Sequence, residues 1–297
     1  MTEPIRTRVS YDGNENRPQR YPDLPEPLTI GTYDNHTHLE IADSDSPLSV
    51  AEQLERMRQV GMLGAVQVGV TLESSKWSAE QAENEPMLLA AVALHPNEAP
   101  LYETREKLDA AIAEIAQLAT KPRVRAIGET GLDFFRTEGD QALNLQQHSF
   151  EQHIEIAKEN SIAMQIHDRE AHDEVVKTLL RVGAPEKTVF HCFSGDVELV
   201  EIAKKNGWYV SFAGNISFKK NQYLRDALIA CEPWQVLIET DAPFLTPEPM
   251  RGRPNAPYLV PHTLRFMAHV LGQSPEELAT QINKNTEAVY GTWSEDS

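Results

Sequence analysis

The chain has 297 residues, 40% of them hydrophobic, and sets 27 lysines and arginines against 45 acidic residues for a formal net charge of −18. That balance excludes a protein that coats nucleic acid non-specifically, because such proteins are normally basic. It leaves a nucleic-acid enzyme open, since bound metal ions reverse the field locally. No window holds the roughly 18–20 consecutive apolar residues of a membrane helix, and the N-terminus lacks the apolar stretch of a secretory signal. Two cysteines, Cys192 and Cys231, provide neither a disulfide framework nor a CxxC zinc site. A cytoplasmic protein with no membrane association and no obligate protein partner is expected.

Residues 1–27 carry five prolines, many charges and no period. They are expected to form an extension, disordered or packed on a single domain spanning 28–297. From Leu28 an apolar or small run enters Asp34-Asn35-His36-Thr37-His38, as at a buried strand end. Residues two apart on a strand point the same way, so His36 and His38 aim at one point. A helix is predicted near 47–60, a strand over 64–70, a helix around 74–85 and a third strand over 87–94. Helix 102–118 then leads to strand 124–128, helix 143–160 to strand 162–166, and helix 171–182 to strand 188–190. Helix 197–206 precedes strand 208–212, helix 223–230 precedes strand 236–238, and 261–271 and 275–290 are helical.

Eight strand–helix units in about 260 residues match a (β/α)8 TIM barrel in size and order. The rival, an open doubly wound sheet, needs a phosphate-binding glycine loop after its first strand, and none is there. In a barrel the chemistry sits at the C-terminal ends of the strands. Those ends carry His36 and His38 (strand one), His95 (three), Glu129 (four), His167 (five), His191 (six) and Asp241 (eight). Histidines scattered through a core would not gather at one end of their strands. His36, His38, Glu129, His167, His191 and Asp241 are therefore predicted metal ligands. Four imidazoles and two carboxylates exceed what one catalytic ion takes while keeping an open position, so two divalent ions (Mg, Mn or Zn) are expected, with Glu129 as the bridge. Such ions make water nucleophilic near neutral pH and stabilise the leaving oxygen. Asp241, beside strand one, is placed to take the water's proton. The reaction class is metal-assisted hydrolysis.

Several segments carry a resemblance. Asp34-Asn35-His36-Thr37-His38-Leu39, Leu94-His95-Pro96, Gly128-Glu129-Thr130-Gly131-Leu132-Asp133-Phe134 and Ile166-His167-Asp168-Arg169-Glu170-Ala171 are four of them. His191-Cys192-Phe193-Ser194-Gly195, Glu239-Thr240-Asp241-Ala242-Pro243-Phe244-Leu245 and Arg251-Gly252-Arg253-Pro254-Asn255-Ala256-Pro257 complete the set. In order and spacing, over roughly residues 30–290, they resemble the TatD-type metal-dependent deoxyribonucleases, a branch of the amidohydrolase superfamily. The resemblance implies a barrel, hydrolysis of DNA phosphodiesters as a 3'–5' exonuclease, and the same six ligands. It points to magnesium, whereas imidazole-rich donors by themselves favour Zn, Mn or Fe. The family often has a second histidine two residues after the one matching His95; here that position is Asn97.

Substrate contacts are expected from His95, Arg169, Arg251, Arg253 and Asn255. The last three sit in a proline-rich loop after strand eight, and arginine's planar fork suits phosphate. Asp133 is expected either to orient a ligand or to cap its loop. The implied partner is DNA, as single strands or ends. Rival readings are hydrolysis of another ester or amide, such as a phosphotriester or aminoacyl-tRNA bond, and a barrel that binds without catalysis.

Overall fold

Alternation along the short apolar runs builds the barrel. On the third strand Leu88, Ala90 and Val92 face the helices while Leu89 and Ala91 fill the lumen. The same two-residue period separates Met164 and Ile166 from Ala163, and Val236 and Ile238 from Leu237. The computed structural model describes residues 3–8 and 17–293; 1–2, 9–16 and 294–297, part of the expected extension among them, lie outside the described residues.

Among the described residues, eight parallel strands form a TIM barrel: β1 (Tyr33–Thr37), β2 (Gly64–Val68), β3 (Leu88–Val92), β4 (Val124–Asp133), β5 (Ala163–Arg169), β6 (Thr188–Phe190), β7 (Tyr209–Phe212) and β8 (Val236–Ile238). They pair in chain order. The last seam closes through Asp241 N–H to His36 O at 3.0 Å and His38 N–H to Ala242 O at 2.8 Å. Helices α1 (Val50–Gln59), α2 (Leu72–Asn84), α3 (Arg105–Leu118), α4 (Asp140–Asn160), α5 (His172–Val182), α6 (Val197–Asn206) and α7 (Gln222–Ala230) alternate with the strands, and α8 (Val260–Leu271) and α9 (Pro275–Tyr290) follow β8. Ser49 with Glu52 and Ser274 with Glu277 form capping boxes that start α1 and α9.

The strands depart from the expected bounds where the site needs them to. β4 runs to Asp133, five residues beyond the predicted end, because its pairing with β5 resumes at Thr130 after a register shift. β3 stops at Val92, before the predicted 94. There Leu94 N–H donates instead to the buried ring of His153 (3.2 Å). Strict alternation from Tyr33, a lumen residue, would turn His36 and His38 toward the helices. A pairing irregularity between Asp34 and Thr37 reverses the phase and brings both inward. Gly131 lies where β4 and β5 nearly touch: a Cβ there would sit 2.0 Å from His167 O, at φ +146°.

The segment 17–27 lies across the loop that follows β8. Arg253 donates to Arg20 O (3.0 Å) and Tyr21 O (2.7 Å), and Tyr258 OH to Pro22 O (2.6 Å). Arg6–Thr7 pairs in parallel with Ile41–Ala42. No helix among the described residues is long and apolar enough to cross a membrane.

Candidate metal centre

Five imidazoles surround one carboxylate at the C-terminal mouth of the barrel. Glu129 Oε1 lies 2.6 Å from His167 Nδ1, 2.9 Å from His191 Nε2 and 3.3 Å from His95 Nε2. Its other oxygen faces His36 Nε2 and His38 Nε2, both at 3.8 Å. Asp241 Oδ1 stands 3.5 Å from His38 Nε2 and 3.9 Å from His36 Nε2. All six expected ligands thus come from five strands into one small volume, and His95 joins them.

The cluster has the character of a cation site. The Nε2 atoms of His36 and His38 approach to 3.1 Å in full burial, and the His36 ring stacks on His191 at 3.8 Å. Among the described residues, buried His36 Nδ1 takes part in no hydrogen bond of ordinary length. Two histidines and a carboxylate meet in His36–His38–Glu129 and again in His95–Glu129–His167. Nitrogen and oxygen donors so arranged fit Zn, Mn or a related divalent ion.

Charge follows from crowding. Burial, with His191 and His38 alongside, holds His36 well below the usual imidazole pKa. Burial opposes charge on His191 too, but the carboxylates of Glu129 and Glu239 outweigh it and push it up to about 10. Glu129 is buried, yet His95 and His191 keep it well below the ordinary carboxylate range. At His38, Asp241 and Glu40 overcome burial and raise the pKa.

The candidate ligands are held from behind. His38 Nδ1 lies 3.0 Å from Val68 O. Asp133 Oδ2 lies 3.1 Å from His167 Nε2, and its other oxygen accepts Arg136 N–H at 2.9 Å. It therefore both orients a histidine and caps its loop. Asn97 donates to Asp133 Oδ2 at 2.9 Å. Sequence reasoning passes over Glu239, which is fully buried and lies 3.2 Å from His191 Nδ1. The two-residue period along Leu237, Glu239 and Asp241 marks it as inward-facing.

The expected substrate contacts divide. Arg169 shares its strand face with His167 and lies over the Phe135 ring at 4.0 Å. Arg251 lies over Phe218 at 4.1 Å. Two of the five find partners within the protein. Arg253 is spent on the carbonyls of Arg20 and Tyr21. Asn255 is buried, donating to the carbonyls of Thr240 and Phe244, so it pins the loop that carries Asp241.

Residues 33–291 match the family model for TatD-related DNases. A Mycobacterium tuberculosis relative, named as an uncharacterized metal-dependent hydrolase TatD, is 38% identical over 261 residues, covering 87% of this chain and 97% of its own. A Pantoea vagans relative named 3'-5' ssDNA/RNA exonuclease TatD is 32% identical over 245 residues, covering 80% and 91%. The crystal structure of YJJV, a TatD homologue from Escherichia coli K12, superposes with a TM-score of 0.78 at 25% identity, covering 88% of this chain and 98% of that one.

Proposed function

Since this chain belongs to the TatD-related DNase family of metal-dependent hydrolases, we propose that it hydrolyses phosphodiester bonds of DNA, acting on single strands or ends as a 3'–5' exonuclease. The observation that carries the reading is the division of Glu129, one oxygen toward His95, His167 and His191 and the other toward His36 and His38. A carboxylate so shared suits a bridge between two divalent ions, with Asp241 completing the His36–His38 side. Divalent ions bound there would lower the pKa of water and neutralise charge on phosphoryl oxygens.

Asp241 accepts the proton of the attacking water, its carboxylate standing 3.5 Å from the His38 ring, nearer than Glu40 at 3.7 Å or Glu129 at 3.8 Å. Arg169 and Arg251, stacked on Phe135 and Phe218, present cations and aromatic faces to a strand entering the mouth. This suits phosphate and nucleobase together and offsets locally the overall charge of −18. The name of the Pantoea vagans relative supports the same substrate class.

The test uses single- and double-stranded oligonucleotides labelled at either end, incubated with Mg²⁺, Mn²⁺ or Zn²⁺, with and without chelator. Stepwise shortening from the 3' end that stops with chelator is expected. DNA left at full length under every metal would overturn the proposal.

A further inference from the structure

We propose that the N-terminal extension belongs to the catalytic centre, with Arg8 as a positioning residue that staples the seam where the barrel closes. Arg6 and Arg8 precede the first residue matched by the family model, Tyr33. Their segment is anchored independently of their side chains. Ile5 and Arg6 N–H donate to Glu40 O, and Arg8 N–H donates to Ala42 O, each at 2.9 Å. Two apart on an extended chain, the two arginines point to one side, and that side is the back of the metal centre.

Arg6 Nη1 lies 3.8 Å from Glu40 Oε1, and that oxygen is 3.7 Å from His38 Nδ1. Arg8 Nη1 donates both to Asp43 Oδ2 (3.1 Å), just past β1, and to Pro243 O (2.9 Å), just past β8. Its guanidinium also lies 5.1 Å from the centroid of Phe244, whose ring meets His38 edge-on at 6.2 Å. One side chain thus joins the two strand exits that deliver His38 and Asp241. The need is local. Beyond Ile238 the seam rests on the backbone hydrogen bonds at Asp241 and His38 and on Asp34, which accepts Thr240 N–H at 2.9 Å, and Asp241 sits at φ +51°, a conformation that persists only when its surroundings enforce it.

The test uses full-length Arg8→Ala and Arg8→Lys. Arg17 still pairs with Asp43 in both, and the backbone pairing of Arg6–Thr7 remains, so the fold is kept. Arg265→Ala, which releases the carbonyls of Glu26 and Pro27, is the control. In the metal-free protein, hydrogen exchange over residues 238–246 is expected to quicken in Arg8→Ala, partly recover in Arg8→Lys and stay unchanged in the control. With Mn²⁺ and bis(p-nitrophenyl) phosphate, Arg8→Ala should lose about tenfold in kcat with KM little changed, as expected for a displaced catalytic group. Wild-type exchange over 238–246 in Arg8→Ala, or a lowered Tm with kcat unchanged, would overturn the proposal. The exchange measurement needs no turnover, so it decides the matter even if no DNA is cleaved.

Discussion

Glu239 Oε1 lies 3.2 Å from Nδ1 of His191 and accepts the backbone N–H of Cys192 at 2.7 Å, so one buried carboxylate fixes both the imidazole and the turn that carries it. The other ring nitrogen is thereby aimed at Glu129, 2.9 Å away. Carboxylates behind ligating histidines hold the tautomer and ring angle, and their loss typically costs 10–100-fold in metal affinity. Glu239→Gln is expected to weaken metal binding by about 10–100-fold, read by competition with a chelating dye. Wild-type affinity would show that His191 needs no such partner.

Asp241→Asn tests the proton acceptor. It keeps an oxygen near His38 but is a poor base, so metal content should stay near wild type while kcat falls by about 10²–10⁴-fold. Elemental analysis and initial rates measure the two quantities. Undiminished turnover would remove Asp241 from the role.

His153 links acidity to the shape of the site. Its Nε2 accepts Leu94 N–H at 3.2 Å, one residue before His95, and its Nδ1 is 2.6 Å from Ser149 O, so only the neutral ring satisfies both. Burial pushes its pKa down to about 4, against the pull of the Ser149 carbonyl. A folded-state pKa below the ordinary 6.5 contributes stability that is complete above about pH 6.5 and is lost as pH falls toward 4, at about 1.4 kcal/mol per unit. In the metal-free protein, urea unfolding at pH 6.5 and 4.5 should show a smaller loss for His153→Gln than for wild type. Equal losses would contradict the assignment.

Phe135 is 54% exposed beneath Arg169. If nucleobases stack there at about 1–3 kcal/mol each, Phe135→Ala should raise KM for a single-stranded oligonucleotide about tenfold or more. KM for an oligonucleotide of abasic residues should not move. Equal effects on both substrates would make the ring a wall rather than a platform.

The barrel and most of the centre are legible in the sequence because apolar runs alternate with helical periods, and because scarce histidines recur at one end of the runs. What is not legible has physical causes. Alternation says that His36 and His38 face the same way, but the irregularity at Asp34–Thr37 decides which way. β4 continues past Gly128 and Gly131 because β5 supplies hydrogen bonds that local propensity cannot forecast. Arg253 and Asn255 stand in the expected loop, but loop position does not reveal partners, and those of Arg253, Arg20 and Tyr21, come from the far end of the chain. Glu239 is the opposite case: Leu237 and Asp241 flank it on one face, and the pattern alone marks it.

The central claim is that Glu129 is shared between two cations. Anomalous diffraction from crystals grown with Mn²⁺ tests it most directly. Two peaks about 3.5–4 Å apart, one beside His36, His38 and Asp241 and the other beside His95, His167 and His191, with Glu129 between them, are the expected result. A single peak, or a pair that leaves Glu129 uncoordinated, would contradict it.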